Sequence, residues 1–471
     1  MSAIQKTTTN RSLFRARPIS AGTDGGTGLR RCLSALDLTL LGIGAIIGAG
    51  IFVLTGIAAA TKAGPAIMLS FVVAGLACAF TALSYAELAA MIGGCGSAYG
   101  YTYASMGELV AWIIGWDLIL EYGVATAAVA IGWSGYMNNA LTAMGLPIPN
   151  VLLKAPAAGG VINLPAASIV LVLSLLLAIG VRQSARFNAA MVAIKLGAIG
   201  LFVLVALFNV QPANWRPFLP FGWEGVMQGA ALIFFAYIGF DAVSTAAEEA
   251  RRPSRDLPVG ILASLAVCTV IYIVVSALLT GIVPYASLNV PSPVADALLR
   301  LGHRWASAFI AAGAIAGLTT VMLVLYYGLT RLFLAMARDG LLPPVFNTIH
   351  PDTHTPVRII LLCGVLIAAV AGLTPISDVA ELVNIGTLAA FVLVCGVVIV
   401  LRRMRPEVSR PFRTPFSPVV PLLGIVFCLY LMLSLPAVTW WRFVIWLGIG
   451  LVIYFTYSRR HSLLEAPQPR R

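Results

Sequence analysis

Charge is what this chain has least of. Only 10% of its 471 residues are Asp, Glu, Lys or Arg, against about 25% in an average soluble domain. A soluble protein of this length could bury a large core, but these few charges could not cover it, so a soluble globular fold is excluded. Histidine is nearly absent: His303, His350, His354 and His461 all fall in loops, at the edge of an apolar run or in the tail. No HExxH, GxSxG or CxxC pattern occurs, which removes the usual metallohydrolase, serine-hydrolase and thiol-redox chemistries. A glycine pair such as Gly42–Ile43–Gly44 lies inside an apolar run rather than after a strand, so no phosphate cradle is implied, and no nucleotide-binding domain follows any run. The seven cysteines (Cys32, Cys78, Cys95, Cys268, Cys363, Cys395 and Cys428) lie mostly within apolar runs and form no Cys/His cluster. They read as small packing residues, not as disulfides or metal ligands. An intramembrane enzyme is disfavoured, and neither metal nor cofactor is expected.

What the chain does have is hydrophobic length. Apolar residues make up 60% of it, and the mean hydropathy is +0.94. Runs of about 20 residues match the roughly 30 Å of a bilayer core. Twelve are found, at 36–60, 65–91, 108–138, 166–181, 186–209, 225–249, 257–283, 304–336, 356–373, 379–401, 417–436 and 439–458. The Gly- and Tyr-rich segment 92–107 reads as re-entrant or interfacial, and 462–471 as a disordered tail.

The net charge of +12 would suggest nucleic acid in a soluble protein, but here the basic residues sit between the runs. With the N-terminus inside and loops alternating, 23 of the 30 Lys and Arg fall inside, 6 outside, and Lys195 lies within a run. That asymmetry predicts two cytoplasmic termini, a lipid bilayer as surroundings and no nucleic-acid partner. The first 30 residues carry six basic side chains with no short apolar stretch and cleavage site after them. They read as a cytoplasmic tail rather than a cleaved signal.

Two runs look broken. The first, LTLLGIGAIIGAGIFVLTG from Leu38, holds Gly42, Gly44, Gly48 and Gly50. Glycines let membrane helices approach closely. They also disfavour a helix interior by about 1 kcal/mol each, and unwinding near Gly48–Ala49–Gly50 would free backbone groups. The sixth run has a small-residue interruption from Ala236 to Gly239, followed by Asp241. Breaks five runs apart point to an inverted-repeat transporter with a midplane site.

Charges inside runs are functional candidates by default. Lys195 is nine residues past Arg186, too deep to reach the interface easily. It reads either as a structural donor to broken-helix carbonyls or as a group that exchanges a proton. Glu121 faces the expected cavity; it and Asp117, one turn earlier, read as substrate contacts or as neutral acids bonded within the bundle. Glu248 and Glu249 read as partners of Arg251, Arg252 or Arg255, and Glu87 as a helix cap or a member of that gate. Phe235, Tyr237 and Phe240 flank the second break, with Phe240 a candidate substrate lid. Met322 is a candidate for shaping the side-chain pocket.

GAGIF in the first run, GWDLILEYGVATAAVAIGWSGY in the third and FFAYIGFDAVSTAAEEARRPSRDLP in the sixth resemble the amino acid–polyamine–organocation superfamily. Within it the likeness is to the cationic amino acid transporter branch and its bacterial relatives, and it extends from about 36 to 458. GAGIF with the GFD…EE…RDLP block is the specific part; Arg251–Arg252–Pro253 stands where many relatives carry Lys-Asn-Pro. The resemblance implies an all-α integral membrane protein of the LeuT fold with twelve transmembrane helices. Residues 36–209 and 225–401 would form inverted five-helix repeats, with 417–458 peripheral and 1–35 and 459–471 as cytoplasmic tails.

It also implies proton-coupled uptake of L-amino acids across a plasma membrane, a bacterial inner membrane by its nearest likenesses. A small single-span accessory protein is a further partner it allows. The substrate carboxylate would meet N–H groups of Gly48, Ala49, Gly50 and Ile51. The ammonium would meet carbonyls of Ile46 and Ile47, and of Phe235, Ala236 and Ile238. Lys195 would be the proton-coupling group, walled by the carbonyls of Gly44 and Ile47 and the hydroxyls of Thr319 and Thr320. Rival readings are an amino acid exchanger, a non-transporting sensor and, least suited to broken helices, a channel. The cargo stays open between small neutral and cationic amino acids: Glu121 favours a cationic group, Met322 and the apolar sixth run disfavour it.

Overall fold

The computed structural model describes residues 33–92, 98–180, 185–245, 250–351, 353 and 355–463. Cys32, Cys95, Glu248, Glu249, His354, most of both tails and residues 93–97 of the 92–107 segment lie outside that set. The regular structure of the described residues is helical, apart from two isolated bridges, Leu33 with Ala250 and Leu153 with Asn163. Hydrocarbon offers no partner to a backbone amide, so apolar runs of this length are stable there only as helices that satisfy their own N–H and C=O groups.

Twelve α-helices of 12 residues or more occur among the described residues. In the first half they are α1 Ala35–Ile46, α2 Ile67–Ile92, α3 Glu108–Ala143, α4 Leu164–Ile179 and α5 Ala185–Leu207. The second half has α6 Gly222–Ile233, α7 Pro253–Ile282, α8 Arg304–Arg338, α9 Val357–Leu373 and α10 Ile376–Met404. Two more follow, α11 Val419–Leu433 and α12 Ala437–Ile453. By length and composition, seven helical stretches are able to cross a membrane, and α1, α4, α9 and α11 are shorter apolar helices. The local signals are ordinary ones: a Ser34/Asp37 capping box starts α1, Asn163 caps α4, and left-handed Gly180 ends it.

Helices five apart in order pack on each other: α2 on α7, α3 on α8 and α4 on α9. Ser174 of α4 and Tyr326 of α8 share a hydrogen bond of 3.0 Å, and Tyr326 also donates to the Ile360 carbonyl of α9. α12 is clasped to α3 by Trp116 and Trp446, whose rings stack 4.5 Å apart while each indole N–H donates to the other residue's carbonyl. Leucines and valines on the outer faces of α4, α9, α11 and α12, such as Leu175, Leu366, Leu433 and Val444, are exposed, as a surface facing acyl chains requires. The segment 98–105, expected as re-entrant or interfacial, is a short helix with buried Tyr99, Tyr101 and Tyr103.

Candidate functional site

Both interruptions are present, and each falls next to the glycines that signalled it. α1 stops at Ile46, and Ile47 is extended. Helical turns resume at Ala49 and run as a π-helix over Gly50–Leu54. The break is therefore Ile47–Gly48, a residue or two before the expected one, because Ala49 and Gly50 already start the second half. α6 stops at Ile233, a 3-10 turn covers Phe234–Tyr237, Ile238 is extended and Gly239 has φ of 112°. Only glycine adopts that φ without strain.

The two breaks touch. A β-carbon at Gly50 would lie 2.2 Å from the Cα of Ala236, so the two segments meet backbone to backbone. Unwound backbone in a dry interior needs partners, and side chains from other helices supply them. Lys195 of α5, fully buried, donates from Nζ to the carbonyls of Gly44 at 2.7 Å and Ile47 at 3.1 Å. The Tyr272 hydroxyl of α7 lies 2.9 Å from the Ile46 carbonyl and 2.9 Å from that of Ala236, bridging the two breaks. Tyr136 of α3 donates to the Phe52 carbonyl at 2.7 Å, and Thr55 to that of Gly50 at 3.0 Å. Asn384 of α10 donates to the carbonyls of Ala231 and Leu232.

An inner cavity opens where the breaks meet. It is lined by Ala45, Ile46, Gly48, Ala49 and Gly50, by Ala125 and Val129 of α3, by Phe235 and Ile238, and by Val321 and Leu325 of α8. Its atom-free space is 270 Å³, of which 10 Å³ is open to water-sized centres, about one ordered water. No lining side chain is polar. On the side away from Leu33, a wider vestibule, with 440 Å³ open to water-sized centres against 10 Å³ in the inner cavity, is floored by Ile57, Ile131 and Leu232 and rimmed by Lys62, Lys154 and Glu381.

The other expected site residues are distributed as follows. Ile47 gives its carbonyl to Lys195, and Ile46 and Ala236 give theirs to Tyr272. Thr319 donates to Ile315 and receives the Trp133 indole at 3.0 Å, and Thr320 donates to Gly317; the hydrogen bonds from Lys195 go to the Gly44 and Ile47 carbonyls. Ile51 is buried beyond Gly50 and does not line the cavity. Met322 is fully buried, but its neighbours Val321 and Leu325 face the cavity instead. Glu121 also stands off the lining: Ala125, one turn on, takes that place. Glu121 is buried near Asp117 and Asp241, with Oε1 lacking a hydrogen-bond partner among the described residues. Phe240 is fully buried against Tyr85 and Phe391, 5.7 and 5.1 Å between ring centres. Glu87 meets Arg402 through two bonds of 2.9 and 2.7 Å and accepts from the Thr414 amide at 2.7 Å. Its partners thus come from the far end of α10 and the loop after it, not from the Arg251 region.

Tyr272, Asn384 and Tyr136 were missed from sequence. The one available signal was a polar side chain inside an apolar run, which Asn384 gives plainly and the tyrosines give weakly.

Known proteins are similar in sequence over most of the chain. The amino acid permease family matches residues 33–456. The chain is 52% identical to the methylthioribose transporter of Bacillus subtilis over 458 residues, covering 96% of this chain and 99% of the relative. It is 51% identical to the branched-chain amino acid permease BcaP of the same organism over 462 residues, again 96% and 99%. Human cationic amino acid transporter 4 is 42% identical over 397 residues, 83% of this chain and 62% of that protein. The chain therefore belongs to the amino acid permease family and is a multi-pass membrane permease.

Proposed function

We propose that the chain is a proton-coupled symporter of small to medium neutral L-amino acids, working by alternating access in a bacterial plasma membrane with both termini cytoplasmic. The reading includes twelve spans in two inverted repeats, 36–209 and 225–401, with 417–458 peripheral. It is supported by the five-apart packing of α2 on α7, α3 on α8 and α4 on α9.

The observation that carries the cargo is the inner cavity, where two helix breaks supply backbone groups and every lining side chain is apolar. The N–H groups at the start of the second half of the first broken helix suit a carboxylate. Carbonyls of Phe235 and Ile238 suit an ammonium. Val129, Val321 and Leu325 leave only apolar contacts for the side chain, so a guanidinium or a lysine ammonium would enter without a partner, at high cost. The branched-chain name of one relative agrees with this lining. The methylthioribose name of another points to a cargo whose hydroxyls only the backbone groups of this cavity are placed to meet. A cavity with room for about one water, beside a wider vestibule, supports an occluded stage approached from outside.

Lys195 is the proton site in this reading. It is the buried base that bonds the last turn of α1 at Gly44 and the first residue of the break at Ile47, so its protonation state bears on the geometry of the substrate site. Loss of a proton there turns a charged donor into a weaker neutral one against two carbonyls, and gain of a proton restores it.

The test is uptake in proteoliposomes with a panel of twenty amino acids and methylthioribose. Valine, leucine, isoleucine or alanine uptake driven by an inward proton gradient is expected. Uptake that ignores the gradient but requires internal amino acid would make the protein an exchanger. Binding without flux would make it a sensor, and methylthioribose transport alone would overturn the cargo.

A further inference from the structure

Small residues alone do not explain how α6 stays broken. A helix ends with carbonyls that lack an intrahelical donor, and in a dry interior each one left alone is costly. At the end of α6, the Phe234 N–H reaches the Ala230 carbonyl, and the chain then tightens into the 3-10 turn. The carbonyls of Ala231 and Leu232 come next, both residues being buried. Asn384 meets both: its Nδ2 lies 2.7 Å from the Ala231 oxygen and 2.8 Å from that of Leu232, and the residue is 0% exposed. One amide group carries two protons, and here two carbonyls receive them. Its Oδ1 has no partner among the described residues, so the side chain is held by its donors.

The pinned residues sit at a functional boundary. Leu232 belongs to the vestibule floor and Phe235, three residues on, to the inner cavity wall. We propose that Asn384 is a substrate-positioning residue: by capping Ala231 and Leu232 it keeps α6 open at its break and sets Phe235 and Ile238 against the bound amino acid. The proposal rests on the inner cavity being the substrate site. Without the two donors, the carbonyls regain partners only by extending α6 through the break or by loosening it, and either change moves the wall.

The experiment compares the parent with Asn384→Leu, which has no donor, and Asn384→Asp, which supplies at most one. Uptake of L-isoleucine and L-valine gives KM and Vmax, and hydrogen exchange by mass spectrometry follows residues 231–238, with α12 as the internal control. For Asn384→Leu, KM rises by about tenfold while Vmax stays within about threefold. Exchange at 231–238 changes and exchange in α12 does not. Asn384→Asp falls between the two. A merely structural role would lower yield and melting temperature without moving KM, and KM within about twofold of the parent with unchanged exchange overturns the proposal. If Asn384→Leu does not reach the membrane, Asn384→Asp decides by the same two readings. If the parent takes up no amino acid, the substrate reading fails, while the exchange comparison still decides whether Asn384 holds the break.

Discussion

Replacing Gly50 with alanine sets two effects against each other. In an unconstrained helix the exchange is favourable by about 0.5–1 kcal/mol, because glycine loses more backbone freedom on folding. Here the new β-carbon would stand 2.2 Å from Cα, 2.4 Å from Cβ and 2.9 Å from the backbone N of Ala236. Ordinary contact starts at 3.4 Å, so the two broken segments must part by 3.4 − 2.2 = 1.2 Å. Two of the obstructing atoms are backbone and the third is the Ala236 methyl, so no rotamer change relieves them. Overpacking a dense interior costs about 1–3 kcal/mol, so the clash outweighs the gain in helix propensity.

The displacement falls at the inner cavity, where a shift of about 1 Å is enough to lose on the order of 100-fold in activity. Isoleucine uptake in proteoliposomes and melting in detergent are the assays: Gly50→Ala raises KM by about tenfold or more and lowers the melting temperature. Gly197→Ala, with nothing within 4 Å of its β-carbon, behaves like the parent. Gly48→Ala meets Val321 Cγ2 at 3.4 Å, so it folds but narrows the cavity and penalises larger side chains. A Gly50→Ala protein with the parent's KM and stability would refute the claim that the breaks meet backbone to backbone at the substrate site.

Lys195→Ala abolishes gradient-driven uptake while leaving counterflow exchange measurable; unchanged gradient-driven uptake would remove Lys195 from coupling. Tyr272→Phe strips the hydroxyl from the Ile46 and Ala236 carbonyls, at about 1–3 kcal/mol for each buried group left unpaired, and a lowered melting temperature with weaker substrate protection checks it. Leu325→Ala enlarges the apolar wall and shifts preference from valine towards leucine and phenylalanine in a competition panel, whereas Met322→Ala, one position off the lining, leaves the ranking as it was. Glu87→Ala leaves Arg410, 5% exposed, without its carboxylate partner; breaking such a pair costs about 3–5 kcal/mol, seen as a fall in melting temperature larger than that of Arg442→Ala at the surface pair with Asp378.

The sequence made some of this legible for physical reasons. Apolar runs between arginines have few alternatives to helices in lipid, and the boundaries of α8 and α9 lie within two residues of the expected ones. A lysine in such a run stands out whatever its partners are, and glycine clusters mark where a helix is weakest. The facing side of each helix was not legible. In a run that is apolar all round, periodicity does not distinguish the cavity side from the lipid side, so Met322 was chosen where Val321 and Leu325 do the lining. Long-range partners were equally hidden. Nothing near Glu87 announces Arg402, 315 positions away, and a tyrosine in a membrane run looks like packing until Tyr272 is seen between two carbonyls.

The side chains that hold the two breaks share one habit: Lys195, Tyr272, Tyr136 and Asn384 all grip main-chain oxygens. The scaffold of the site is thus fastened to atoms that every amino acid possesses, while the wall side chains of Val129, Val321 and Leu325 take no part in that fastening. Substitution at the wall and failure of the frame become separable events. A chain built this way is able to retune its cargo by small steps at a few positions, and its relatives about half identical to it carry different cargo names, one a branched-chain amino acid and one methylthioribose.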